Sequence, residues 1–185
     1  MMNAARAWVV QLSSQAAHLL RTEEWVLELD AESSPALRLA ALTHDMERAY
    51  PEGSPRWEPE RGWDDPLYTI AHSERSARIV GDFMRDHGAD EAFVRKVVGL
   101  ILVHETGGFP EADVLQAADS LSFLETMPPV VAGWILSGRV DEAYARERMR
   151  HAVDRIRLDR ARRIGRDLLP AALVEIDDSV ARART

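Results

Sequence analysis

The sequence predicts an all-α fold, and three observations carry that prediction. Apolar residues recur at three- and four-residue spacings along most of the 185 residues. No stretch of four or more residues alternates in a way that reads as a strand, and no block of sequence repeats. The length is that of one domain, and 46% apolar residues are enough for a core without covalent staples.

The elements follow in order. Ala4 to Arg21 reads as a first helix carrying Trp8, Val9, Leu12, Ala16 and Leu19 on one face. Ser34-Pro35 is a helix start, a capping hydroxyl followed by proline at the first helical position. Ala36 to Glu47 follows, with Leu37, Ala40 and Ala41 along one stripe. Tyr50 to Pro66 is a loop rich in proline, glycine, tryptophan and charge. A helix from about Tyr68 to His87 carries Ile79, Val80 and Phe83; Gly88 stops it and Asp90 caps the next. That next helix, Glu91 to Glu105, is the most apolar, and Thr106-Gly107-Gly108-Phe109-Pro110 breaks it.

Ala112 to Glu125 is helical again and Pro128-Pro129 closes it. Pro129 to Leu136 is a short helix punctuated by Ser137-Gly138. A long Arg-rich helix is expected from Arg139 to Leu168, ended by Pro170, with a weak final segment. The expected organisation is a helical core over residues 1–138 and a C-terminal helical extension, 139–185, packed on the same domain.

Composition removes several classes of function. The absence of cysteine excludes disulfides, iron–sulfur clusters, thiolate zinc sites and cysteine nucleophiles. Any metal must then be held by nitrogen and oxygen. The 23 basic and 31 acidic residues give a net charge of −8, the wrong sign for a nucleic-acid polymer as partner. The longest near-continuous apolar run, Val97 to Val103, falls far short of the ~20 residues a membrane-spanning helix needs. With no leader pattern at the start, a soluble cytoplasmic protein without a membrane partner is expected.

The histidines are unusual in their company. Leu37, Ala40 and Ala41 precede His44 by seven, four and three residues, so His44 shares their apolar face, and Asp45 follows directly. His104 follows Val97, Leu100 and Ile101 at the same spacings. His72 precedes Ser76, Ile79 and Phe83 by four, seven and eleven, and Asp119 lies four residues from both Leu115 and Phe123. A lone histidine on an apolar face is more often a satisfied core residue than a ligand. Three histidines and two carboxylates on or beside the buried faces of four helices have a simpler explanation, a metal held inside a helical bundle.

The order of these residues resembles the HD superfamily. His18 comes first, then His44-Asp45 in Ala-Leu-Thr-His-Asp-Met-Glu-Arg, His72 in Ala-His-Ser-Glu, His104 in Leu-Val-His-Glu-Thr-Gly-Gly and Asp119 in Ala-Ala-Asp-Ser-Leu. The likeness covers residues 5 to 125. It implies a five-helix core and one or two divalent metals, Mn, Fe, Mg, Co or Zn. With both extra histidines present, it implies a binuclear site: His18, His44, Asp45 and Asp119 on one ion, and Asp45, His72 and His104 on the other. On a wheel drawn through a continuous first helix, His18 lies away from the Trp8–Leu12–Leu19 stripe.

Most HD proteins are phosphohydrolases, so the resemblance implies metal-assisted hydrolysis of a small phosphate-bearing substrate, such as a nucleotide or phosphoester. Asp45, Glu47 and Arg48 are the expected catalytic residues, and Arg48, Arg75 and Glu105 the expected substrate contacts. Glu47, Glu74 and Glu105 each lie close in sequence to an expected ligand, and one of the three reads as an orienter of a histidine or a proton shuttle, without the sequence saying which. A subset of binuclear HD proteins instead holds two irons and cleaves a C–C or C–P bond with dioxygen, and the motif order fits it equally. A non-catalytic HD module that binds a ligand is the third reading.

Ten arginines and six acids between Arg139 and Asp167 give that segment +4, leaving −12 on the rest. It reads as a solvated helix with pairs such as Glu142–Arg146 and Asp159–Arg163, with a few arginines left to reach the site. The loop with Trp57 and Trp63 reads either as a lid over the site or as a homodimer contact. His87 reads as a structural cation at a helix end, and His151 as a surface or substrate-facing group.

Overall fold

Side-chain caps and prolines set most helix starts in the computed structural model, which describes residues 1–184. Among those residues there are nine α-helices and no strand, as the periodicity predicts. They are α1 (Met2–Leu12), α2 (Ala16–Leu29), α3 (Pro35–Thr43), α4 (Pro66–Asp86), α5 (Glu91–Leu102), α6 (Pro110–Thr126), α7 (Pro128–Leu136), α8 (Glu142–Asp154) and α9 (Asp159–Arg184). Short 3₁₀ turns at Met46–Ala49 and Pro59–Arg61 interrupt the long loop. Ser34 Oγ accepts from the Leu37 N–H at 3.1 Å, and Asp90 from the Ala92 and Phe93 N–H groups at 2.8 and 3.3 Å. Asp65 and Asp141 cap α4 and α8 in the same way.

Three expectations are corrected. The first helix is two: the chain turns at Ser13–Gln15, where the Gln15 N–H donates to Ser13 Oγ at 3.1 Å. Ser-Ser offers the backbone a local hydrogen-bonding alternative to the helix. The Arg-rich helix is likewise broken, after Asp154, and Ile156 drops into the core, fully buried. No glycine or proline announces that break. Pro170 does not end α9 but lies inside it. Pro170 and Arg166, whose carbonyl loses its helical donor to the proline, lie on the exposed face, where water can serve. Gly165, Ala172, Ile176 and Val180 continue the buried stripe past Pro170, and that packing carries the helix through.

Two apolar clusters organise the packing. The first gathers the inward faces of α1 to α6, with Ile156 and Ala161 added from the C-terminal region. The second joins the end of α6 to α7, α8 and α9, so it spans both sides of residue 138. Helix α6 runs between the two, and every residue from Leu115 to Leu124 is buried. Its small side chains, Ala117, Ala118, Ser120 and Ser122, let neighbours approach closely. Gly165 of α9 sits against this helix: a Cβ there would come within 3.2 Å of Ile156 Cδ1 and 3.5 Å of Leu121 Cδ2. No helix among the described residues is long and apolar enough to cross a membrane.

Pro170→Ala tests whether α9 is continuous. Restoring the missing donor in a helix interior is expected to stabilise the protein by about 1–3 kcal/mol, a rise of roughly 3–10 °C in melting temperature. An unchanged or lower melting temperature by calorimetry would contradict a helix running through this position.

Candidate metal centre

The six candidate ligands come from five places in the chain and meet in the interior. His18 lies on the first turn of α2, His72 on α4 and Asp119 in the middle of α6. His44 and Asp45 sit where α3 gives way to the 3₁₀ turn. Adjacent residues of a continuous helix point about 100° apart and cannot face one centre. Here α3 ends at Thr43, earlier than the periodicity predicts, and Asp45 adopts φ −103°, ψ 16°. That bend brings His44 Nε2 and Asp45 Oδ1 to 3.9 Å. Similarly, α5 ends at Leu102 and His104 lies in the turn beyond it. The break before α2 also re-aims His18, which is buried at 3% exposure instead of lying off the apolar face.

All four histidine rings are held by Nδ1. His44 Nδ1–H donates to the Ala41 carbonyl at 3.0 Å and His104 Nδ1–H to the Ile101 carbonyl at 2.7 Å. His72 Nδ1–H donates to Glu47 Oε1 at 3.0 Å. The Ser122 hydroxyl donates to the His18 carbonyl at 2.8 Å, so at 3.0 Å it accepts from His18 Nδ1–H. Each anchor requires the proton on Nδ1, so in the neutral ring Nε2 is the lone pair. The Nε2 atoms of His44, His72 and His104 are buried without a hydrogen-bond partner.

These Nε2 atoms face carboxylate oxygens. Asp119 Oδ1 lies 3.1 Å from His18 Nε2 and 3.3 Å from His44 Nε2. Asp45 Oδ1 lies 2.8 Å from His72 Nε2, without hydrogen-bond geometry, and 3.9 Å from the Nε2 atoms of His44 and His104. Lone pairs confronting carboxylates are stable only with positive charge between them, a proton or a cation. Three overlapping groups have ligand atoms close enough to hold a metal ion: His18–His44–Asp119, His44–Asp45–His104 and His72–His104–Glu105.

Arginines surround the carboxylates. Arg48 Nε donates to Asp45 Oδ2 at 2.7 Å and its Nη1 to the Tyr68 hydroxyl at 2.9 Å. Arg155 pairs with both Asp119 Oδ2 and Glu105, and its Nε donates to Ser120 Oγ at 2.8 Å. Burial alone would raise the pKa of Asp45, but Arg48, then His72 and His44, hold it well below the usual carboxylate range. Arg155 does the same for Asp119 against burial. For His44, burial favours the neutral ring, but Asp45 and Asp119 outweigh it and raise its pKa to about 9. Burial, reinforced by His44 and His72, lowers His104 to about 4.

The cluster opens into a cavity of about 480 Å³. His18, Asp45, Arg48, Glu105, Asp119 and Arg155 line its floor. Glu47 does not reach it: buried behind His72, this carboxylate positions the ring, and its other oxygen pairs with Arg75 at 2.8 Å. Arg75 is also outside the cavity lining. Its guanidinium is consumed by Glu47, Ser54 and the carbonyls of Tyr50 and Glu52, so it clamps the loop where a substrate contact was expected. Glu74 is exposed. Exposed His87 donates to the Phe83 carbonyl at 2.8 Å, while half-buried His151 lines the cavity. The expected pairs Glu142–Arg146 and Asp159–Arg163 do not form; Arg146 binds Asp177 and Glu142 binds Arg184.

Sequence reasoning did not single out Ser122, Tyr68, Arg148 or Arg155. For Ser122 a signal existed, a hydroxyl three residues beyond Asp119 on a helix otherwise packed with apolar residues. For Arg155 none did, because the break that turns it inward is silent in the sequence. No family model, curated protein or solved structure matches this chain.

The raised pKa of His44 has a consequence in metal-free protein. A histidine with a folded pKa of about 9 contributes stability that is full below its unfolded value of 6.5 and is lost as pH rises through 9. His72, also raised, adds in the same direction, and Asp45 and Asp119 stay ionised across this range. The melting temperature of chelator-treated protein is therefore expected to fall between pH 6.5 and 9, and added divalent cation to remove that slope. A flat profile in the chelated protein would contradict the proton's place in the cluster.

Proposed function

We propose that this chain is a metal-dependent phosphohydrolase of the HD type, which holds two divalent cations and hydrolyses a small phosphate-bearing substrate. The observation that carries this reading is the set of four rings locked with Nε2 lone pairs facing two aspartates. Asp45, with neighbours on both sides, is suited to bridge two ions; His18, His44 and Asp119 would complete one shell, and His72 and His104 the other. An N/O set of histidines and carboxylates suits Mn, Fe, Co or Zn. Bound there, such ions supply a Lewis acid for phosphoryl oxygens and a more acidic water.

The chain's own residues do the rest. The Nδ1 anchors fix ring orientation, and Glu47 makes the His72 ring more basic. Arg48 and Arg155 each hold one oxygen of an aspartate, leaving the other oxygen turned to the cluster. The loop contributes Trp57 and Trp63 to the cavity lining. Four carboxylates (Asp45, Glu47, Glu105, Asp119) against four arginines (Arg48, Arg75, Arg148, Arg155) leave no net charge. Two divalent cations make this interior strongly positive, which calls for an anionic substrate. In the reaction the P–O bond to the alcohol breaks and a P–O bond to a water oxygen forms. The protons of that water end on the alcohol and the phosphate.

The purified protein is expected to bind about two divalent ions per chain and to release phosphate from phosphomonoesters when they are present. Asp45→Ala is expected to abolish both. Ser122→Ala is expected to weaken metal binding by roughly 10–100-fold through loss of the His18 anchor. Metal analysis and a phosphate-release assay check these outcomes. A folded protein that binds no metal would overturn the reading. Iron-loaded protein that consumes dioxygen and releases no phosphate would replace hydrolysis with oxidative cleavage.

A further inference from the structure

The cavity is lined by more than the metal cluster: arginines and aromatic rings, none of them candidate metal ligands, share it. Of the four arginines that line it, three are already engaged. Arg48 is held by Asp45 and Tyr68, Arg155 by Asp119, Glu105 and Ser120, and exposed Arg139 stacks over Trp57 at 4.6 Å. Arg148 is different. Its guanidinium lies 4.2 Å over the Phe123 ring, its Nη1 is buried without a partner, and no carboxylate pairs with it among the described residues. Burial and the nearby charge of Arg155 lower its pKa to about 10, so its charge is poorly compensated where it sits. An unpaired cation in a half-closed cavity is costly unless a ligand completes it. A planar guanidinium on an aromatic face is shaped for two-point contact with an oxyanion.

Aromatic rings make up much of the remaining lining. Trp57 and Trp134 pack at 5.7 Å, and Trp63 and Tyr144 meet edge to face at 4.6 Å. Three of the chain's five tryptophans line this one cavity. Trp57 and Trp63 come from the loop, which Arg75 ties to the 3₁₀ turn after Asp45, so the wall is fixed relative to the cluster. The volume of about 480 Å³ accommodates a phosphate and a flat ring system together.

We propose that Arg148 is the anion clamp for the substrate and the tryptophan wall its specificity element, so that the preferred substrate is a phosphate ester bearing a flat aromatic or heteroaromatic group. This rests on the hydrolase reading for turnover but not for binding. Arg48 and Arg155 then act as positioning residues for the aspartates, and Arg148 touches the substrate itself.

The test uses the full chain loaded with Mn²⁺. Phenylphosphonate and methylphosphonate, which have no ester bond to hydrolyse, are titrated by calorimetry; phenyl phosphate and methyl phosphate are compared for phosphate release. The wild type is expected to bind phenylphosphonate about tenfold or more tighter than methylphosphonate, the scale of one aromatic stack. Trp134→Leu is expected to remove most of that preference. Arg148→Met is expected to weaken both phosphonates about tenfold or more with unchanged metal content, and Arg148→Lys to recover part of the loss. If Arg148→Met does not fold, Arg148→Lys and Trp134→Leu carry the test.

Equal binding of the two phosphonates by the wild type, or unchanged binding by folded Arg148→Met, overturns the proposal. Phosphonate binding in the expected pattern without phosphate release from phenyl phosphate upholds the clamp and overturns the hydrolase reading. Phosphate release with no preference for the phenyl ester and no effect of Arg148 does the reverse.

Discussion

Four imidazole Nδ1–H groups, each donating to a fixed protein oxygen, are the constraint on which the interior depends. Two acceptors are carbonyls three residues back in the same turn, at Ala41 and Ile101. The others are Glu47 and Ser122. Each fixes a tautomer, and together they turn the Nε2 atoms toward two carboxylates in the interior. Apolar packing alone does not call for such a centre. It requires positive charge in the middle, and the surrounding helices are arranged so that either a proton or a divalent cation can supply it.

The arginines make that centre tolerable. Two buried aspartates side by side would raise one another's pKa and one would neutralise. Arg48 from the 3₁₀ turn and Arg155 from the break before α9 each hold one carboxylate oxygen, so both aspartates stay charged and present the other oxygen inward. This gives the C-terminal helices a role in the site. The cluster is built from α2 to α6, yet Arg155, Arg148 and His151 reach the cavity from the region beyond residue 138. The shared helix α6 couples the two clusters, presenting Asp119 and Ser122 to one and Phe123 to the other.

Much of this was legible in the sequence. Ser34-Pro35, Gly88 and Asp90 mark helix ends with known local chemistry: the Ser34 and Asp90 side chains cap, and Gly88 takes a φ of 72°. The spacing of His44, His72, His104 and Asp119 against apolar residues predicts that they point inward, and all four are buried. What the sequence concealed were departures from regular helix. The end of α3 at Thr43, the turn at Ser13–Gln15 and the break after Asp154 involve neither glycine nor proline; the Ser13 hydroxyl supports the second and the burial of Ile156 the third. Those departures aim Asp45, His18 and Arg155. Pro170 misled in the opposite direction, because a buried stripe sustains a helix through an exposed proline. Arg75 shows a third limit: it binds Glu47, Ser54 and loop carbonyls, partners that no local pattern reveals.

The most direct measurement is anomalous X-ray diffraction at the manganese edge from crystals soaked in Mn²⁺. Two peaks are expected, roughly 3.5–4 Å apart, with Asp45 between them, His18, His44 and Asp119 around one, and His72 and His104 around the other. Every histidine should coordinate through Nε2, with Nδ1 still on its protein partner. An interior without anomalous density, or histidines turned to bind through Nδ1, would contradict the account.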